Sequence, residues 1–215
     1  MPTPLARSLE KFCYHNDMPR SIHKRYSDPL DLIWVRTAHN CGIQVVRSTQ
    51  VFAAWDGNGR LQIGTPETLD PDDSLAQMIL HELCHALVAG PQAFQEEDWG
   101  LDYDQQDHEV YEHAALRLQA ALADTVHLRT FFASTTVFRD YFDRLPENPL
   151  DDSTDEATGL AIQAMQRLKE SSWDSPIREA LMATAKISQL LTDFAGEDSI
   201  WRSAQTDALP SDPGT

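Results

Sequence analysis

His81-Glu82-Leu83-Cys84-His85 sets two imidazoles and a carboxylate within five residues. On a helix, residues four apart stand one turn above each other, so His81 and His85 face the same way and can share one cation; imidazole nitrogen suits zinc. Glu82 lies about 100° round the helix, within reach of a metal-bound water without being drawn into the metal's own coordination. With eight His in the chain, chance supplies roughly 0.02 such matches. Between Met78 and Ala89 every other residue is apolar or cysteine, and a helix apolar all round is a buried one. Ionisable groups there cost about 2 to 7 kcal/mol for each polar group left unsatisfied. A zinc ion with its water satisfies all three at once. The alternative, a core histidine pair bonded to backbone carbonyls and to Glu82, leaves Glu82 without a chemical reason.

With the next residue included, His81-Glu82-Leu83-Cys84-His85-Ala86 resembles the active-site helix of the zincin metallopeptidases. Arg60-Leu61-Gln62-Ile63-Gly64 resembles the edge strand on which those enzymes lay a peptide substrate. The resemblance covers residues 43 to 120 and is also to bacterial H-E-x-x-H proteins of no assigned substrate. It implies that His81 and His85 bind zinc and that Glu82 is the general base. No third histidine follows at the metzincin spacing, since His85 leads into Ala86-Leu87-Val88-Ala89-Gly90; the gluzincin type, in which a later helix supplies a glutamate, matches better. The implied activity is hydrolysis of a peptide or amide bond in a peptide or protein substrate. Three protein ligands leave a fourth zinc position for water, whose pKa falls toward about 7; Glu82 takes its proton and hands it to the leaving amine. An oxyanion donor is expected among His108, His113, Tyr103 and Tyr111, which stand near the site in sequence. Two rivals remain: a non-catalytic zinc-stabilised descendant acting as a binding or regulatory module, which would not need Glu82, and a helical adaptor without metal.

The third ligand is sought on the helix expected over residues 107–122. Glu109-x-x-x-His113 looks like the gluzincin E-x-x-x-D pattern, with His113 where an aspartate would stand. Periodicity disagrees, because steps of 100° put the apolar face around Val110, Ala114, Leu118 and Leu122, with Glu109 nearly opposite and Glu112 on the edge that also holds Ala115. A small residue one turn on allows two helices to approach. Glu112 is therefore preferred, with Glu109 the alternative and His108 an outsider on the same edge.

Several elements must position these groups. Asp28-Pro29 with Leu30, Ile33, Trp34 and Thr37 has the cap, the proline and the spacing of a short helix ending near residues 40–42. Strand-like runs follow at 43–47, 51–55 and 60–63, the last two flanking the hairpin sequence Asp56-Gly57-Asn58-Gly59. Asp70-Pro71-Asp72-Asp73 predicts the start of the motif helix, with Asp70 as its cap, and Gly90-Pro91 its end. Residues 91–106 read as an acidic, solvated loop anchored by Trp99-Gly100-Leu101. Further helices are expected at 137–145, from Thr154 with a Ser153-x-x-Glu156 box, and at 176–194 closed by Gly196. The fold class expected is α+β and zincin-like: a small, mostly antiparallel sheet packed on the central helix, then a mainly helical C-terminal half. Residues 1–202 are read as one domain and 203–215 as a disordered tail.

A net charge of -17 repels phosphate and anionic lipid, so neither nucleic acid nor membrane is an expected partner. The N-terminus lacks a secretory h-region and no run is long enough to span a bilayer, so a cytoplasmic location is expected. Cys13, Cys41 and Cys84 form no C-x-x-C pair and read as reduced thiols, Cys84 as core packing. His15, His23, His39 and His127 share no metal-like spacing. Trp55 and Trp99 are assigned to the core rather than to a specificity pocket.

Overall fold

The structure, a computed structural model, describes residues 21, 23–101, 108–151 and 154–203. In chain order these form α1 (Pro29–Asn40), β1 (Gln44–Ser48), β2 (Ala53–Trp55), β3 (Arg60–Gly64) and α2 (Leu75–Ala89). Two short 3-10 turns follow (Pro91–Gln95 and Asp98–Gly100), then α3 (Glu109–Asp124), α4 (Arg139–Asp143), α5 (Glu156–Glu170), α6 (Asp174–Leu191) and α7 (Ile200–Ser203). The class is α+β and mostly helical. Helix α1 starts where expected, the Asp28 carboxylate accepting from the Leu30 N–H at 2.8 Å. Among the described residues no helix is long and apolar enough to cross a membrane.

The sheet departs from the expectation in its pairing, which is mixed rather than mostly antiparallel. Asp56-Gly57-Asn58-Gly59 does turn β2 back antiparallel to β3: the Asp56 carboxylate accepts from the Asn58 and Arg60 N–H groups at 2.8 and 2.9 Å. Gly57 and Gly59 adopt φ of 65° and 97° there, a region glycine enters without a Cβ penalty. The returning β3 inserts between the other two strands, giving the order β1-β3-β2, and runs parallel to β1 from Gln44↔Arg60 to Ser48↔Gly64. Local turn signals say that two strands fold back on each other, not which neighbour the second displaces. In consequence Arg60–Gly64, expected as an edge, is the central strand, with Leu61 and Ile63 fully buried. The edges are β1 and β2.

Helix α2 begins later than expected. Ser74, not Asp70, is its cap: the Ser74 hydroxyl accepts from the Gln77 N–H at 3.2 Å while the Gln77 side chain accepts from the Ser74 N–H at 2.7 Å. That reciprocal box satisfies two terminal donors where a lone aspartate satisfies fewer, and Asp70 to Asp73 form a turn, the Asp73 N–H bonding the Asp70 carbonyl at 3.0 Å. The exit is as expected, Gly90 sitting at φ 86°, and Arg167 of α5 covers the last carbonyls by donating to Leu87 and Val88 at 2.7 and 2.9 Å. Of α2, only His81 and Ala89 escape full burial. Around it pack α1, α3 and α5, and its apolar residues share one core with Trp34, Ile43, Trp55, Leu61 and Ile63. Ala157, Ala161 and Ala164 line the buried face of α5, and small side chains at this spacing let α5 approach α3 closely.

Other boundaries move by a turn or less. Helix α5 is capped by Asp155, whose carboxylate accepts from Ala157 N–H at 2.8 Å; the expected Ser153 cap lies outside the described residues. Helices α4 and α6 are shorter than predicted because their outer residues Val137 and Phe194 are 92% and 84% exposed, so extension would bury nothing. The reading of a disordered tail also falls outside the described residues.

Candidate metal centre

Helix α2 brings His81 and His85 one turn apart onto the side facing α3, and α3 answers with Glu112. The His85 Nε2 lies 3.0 Å from His81 Nε2 and 3.0 Å from Glu112 Oε2, and His81 Nε2 lies 3.4 Å from Glu112 Oε1. Nitrogen and oxygen ligands about 2.0 to 2.2 Å from a tetrahedral cation stand roughly 3.3 to 3.6 Å apart. The observed spacing is within a few tenths of an ångström of that, and the three groups could hold a metal ion. Glu112 meets the two histidines from α3, and Ala115, about one turn on, is fully buried, a small side chain of the kind that lets two helices approach. Glu109 points away, its side chain 58% exposed and 3.6 Å from His113.

Gln119 decides the chemistry of this donor set. Its amide nitrogen donates to the Phe132 carbonyl at 2.6 Å, which turns its oxygen toward His81 Nδ1 at 2.9 Å. An amide oxygen only accepts, so Nδ1 carries a hydrogen, and in the neutral ring Nε2 presents a lone pair to the centre. That lone pair faces the Glu112 carboxylate and the second imidazole. Acceptors so converged repel unless a cation or a proton lies between them, and the arrangement therefore fits a metal. Without one, burial opposes the charged form of His85 but the Glu112 and Glu82 carboxylates outweigh it and raise its pKa. Burial likewise opposes the Glu112 carboxylate, yet the His81 and His85 charges and the His85 hydrogen bond bring its pKa down to about 2.

Glu82, 7% exposed, does not join the three. It lines a cavity of about 230 Å³ with them, and its Oε2 accepts from the Trp99 indole N–H at 3.0 Å. Apolar walls come from Phe52, Ala53, Met78 and Phe138, so the edge beside the site belongs to β2 rather than β3. Ser134, Thr135 and Thr136 complete a hydroxyl-bearing wall of the same cavity. Thr135 donates to Asp73. Ser134 Oγ and Thr136 Oγ1 are 3.0 Å apart and accept from the Thr136 and Phe138 N–H groups at 3.4 and 3.3 Å. One hydroxyl hydrogen lies between the two oxygens, and the other has no acceptor among the described residues.

The expected oxyanion donors are not on this wall. His113 stacks on Tyr141 at 3.6 Å, His108 packs edge-on to Tyr111 at 6.2 Å, neither histidine nor Tyr111 lines the cavity, and Tyr103 is outside the described residues. Cys84 and Trp55 are buried as expected, burial pushing the Cys84 thiol well up. His23, His39 and His127 are exposed, and Cys13 and His15 lie outside the described residues. Residues 91–101 are less solvated than expected, with Ala93 and Trp99 buried.

Sequence reasoning missed Gln119, Trp99 as a partner of Glu82, and the hydroxyl wall. Gln119 carried a signal: it stands seven residues, two turns, after Glu112, and it shares an otherwise apolar run from Ala114 to Leu122 only with Arg117. The hydroxyl wall carried none that a single sequence displays. No family model, no curated protein and no solved structure matches the chain.

Proposed function

We propose that the protein is a zinc-dependent metallopeptidase of gluzincin-like design, cutting a peptide or amide bond. The observation that carries this reading is the convergence of two imidazole nitrogens and a carboxylate in a cavity that also holds Glu82, a carboxylate left out of the donor set. A structural metal site has no use for Glu82. Two histidines and one glutamate that leave a coordination position open are the ligand pattern of catalytic zinc.

His81, His85 and Glu112 would hold the ion, and Gln119 keeps His81 in the ligating tautomer. When bound, zinc supplies Lewis-acid polarisation of the scissile carbonyl and makes water acidic near neutral pH. Glu82 takes a proton from the attacking water and returns it to the leaving amine. The uncommitted hydroxyl hydrogen of the Ser134–Thr136 pair is the donor for the developing oxyanion. Phe52, Met78 and Phe138 exclude water and receive an apolar substrate side chain beside β2.

Elemental analysis of the purified protein is expected to find close to one zinc per chain, lost in His81→Ala and His85→Ala and kept in Glu82→Gln. Peptides released from a complex mixture by the wild type should be absent with Glu82→Gln. Retention of full zinc in both histidine variants, or full turnover by Glu82→Gln, would refute the assignment.

A further inference from the structure

Immediately after the second 3-10 turn begins, the backbone does something bulky side chains avoid. Asp98, Trp99 and Gly100 take φ of 46°, 60° and 72° in succession. Glycine does so freely, but each of the other two costs on the order of 1 to 2 kcal/mol there. Strain of this kind persists only where the surroundings over-determine it. Here they do: Asp98 Oδ1 accepts from the Trp55 N–H at 3.0 Å, and the Trp99 ring stacks on Trp55 at 4.3 Å and 8° and meets Phe94 edge-on at 5.4 Å. The result is an indole whose orientation is set by β2 and the first 3-10 turn, aimed at one acceptor, Glu82 Oε2.

Packing alone does not account for that aim. Trp55 is as buried as Trp99, yet its own indole N–H goes to the Phe94 carbonyl at 3.2 Å; of the two stacked rings only one reaches the carboxylate. A hydrogen bond to an ionised acceptor is roughly twice as strong as a neutral one. It ties one oxygen of Glu82 from outside the cavity lining, which does not include Trp99, and leaves Oε1 without a hydrogen bond among the described residues. We propose that Trp99 is a positioning residue for Glu82, holding the carboxylate in the one orientation from which Oε1 can exchange a proton with water and leaving group. The proposal rests on the metallopeptidase reading, and misplacement of about 1 Å in such a group can lower a rate by on the order of a hundredfold.

Trp99→Phe retains a ring for the stack and removes the N–H; Trp55→Phe is the matched control. Trp99→Phe should lower kcat by about ten- to a hundredfold with KM and zinc content unchanged. Trp55→Phe should lower the melting temperature as much while leaving kcat close to that of the wild type. In a Glu82→Gln background, adding Trp99→Phe should leave the residual rate unchanged, because the effect passes through Glu82. Undiminished kcat in Trp99→Phe, an equal loss in Trp55→Phe, or an additive loss in the double variant overturns the positioning role alone. Absence of any Glu82-dependent turnover in the wild type overturns the metallopeptidase reading and this proposal with it. Should Trp99→Phe fail to fold, the Trp99 indole proton resonance decides: it moves upfield on Glu82→Gln if the bond exists, and an unmoved resonance overturns the proposal.

Discussion

Helix α3 buries two polar clusters five residues apart, and they are built on opposite principles. Around Arg117, 2% exposed, donors meet acceptors: the guanidinium donates to the Tyr141 hydroxyl at 2.7 Å, the Pro149 carbonyl at 2.6 Å and Asp155 at 2.8 Å, and Tyr141 in turn donates to Asp155 at 2.9 Å. Among the described residues these donors and acceptors pair with one another, a closed cluster that ties α3 to α4 and to the start of α5. Around Glu112, 5% exposed, two imidazole nitrogens and a carboxylate converge with only a proton to share between them, and they line a cavity, an open cluster. The first sets a cation against an anion; the second brings together groups that could hold a metal ion. Burial and polarity alone do not distinguish structure from chemistry here, but the balance of donors against acceptors does.

The largest expected effect tests the closed cluster. Arg117→Ala should destabilise the fold by about 3 kcal/mol, the low end for a broken buried pair because Asp155 keeps some contact with water, while zinc content is retained. Denaturant midpoints and elemental analysis check both halves. A large loss of metal would mean that the two clusters are one.

Glu112→Ala tests the open cluster: zinc affinity falls more than a hundredfold, beyond the range of changes behind a ligand, and the metal-free fold also loses stability above pH 4.5, because the lowered Glu112 pKa records a favourable interaction with His81 and His85. Glu109→Ala should leave affinity unchanged. If Glu109→Ala is the more damaging, α3 faces α2 differently and the ligand moves three residues toward the N-terminus.

What could be read from the sequence follows the same line between local and non-local causes. Asp28-Pro29, Gly90-Pro91 and the 3.6-residue periods act on the backbone within a few residues, and α1, the end of α2 and the facing of Glu112 were legible for that reason. The start of α2 was misread because two capping signals compete there and the reciprocal Ser74–Gln77 box, rather than Asp70-Pro71, forms. The insertion of β3 between β1 and β2 is a choice among long-range partners that no local pattern encodes. The motif histidines and Glu82 were visible by type and spacing. Their supports were not, because Gln119 and Trp99 reach the site from 38 and 17 residues away.

Gln119 belongs to neither cluster by contact with the cation position, yet it sets the character of the open one. Gln119→Leu leaves His81 free to choose the other tautomer or to rotate, and zinc affinity should fall about ten- to a hundredfold, the usual effect of removing a ligand's hydrogen-bond partner. Titration with a competing chelator measures it. Affinity equal to that of the wild type would show that helix packing alone orients His81.

The smallest effect, per unit of pH, separates the clusters by what a proton does to each. In the metal-free protein, Glu112 has its pKa lowered from 4.5 to about 2, so its contribution to stability is present above 4.5 and is lost as pH falls toward 2. His85 has its pKa raised above 6.5, so its contribution is full below 6.5 and is lost as pH rises through the raised value. A proton thus stands in for the missing cation between pH 4.5 and 6.5. Zinc needs that imidazole neutral, and where His85 is protonated the metal must displace one proton, which costs about 1.4 kcal/mol of affinity per pH unit. The difference in melting temperature between zinc-saturated and chelator-treated protein should therefore widen from pH 6 to pH 8. The Arg117 cluster, which binds no metal, should show no such coupling: Arg117→Ala should shift both curves equally at each pH. A zinc-induced shift that is flat or shrinks across this range would mean that His85 does not exchange a proton for the metal, and that the open cluster is closed by some other means.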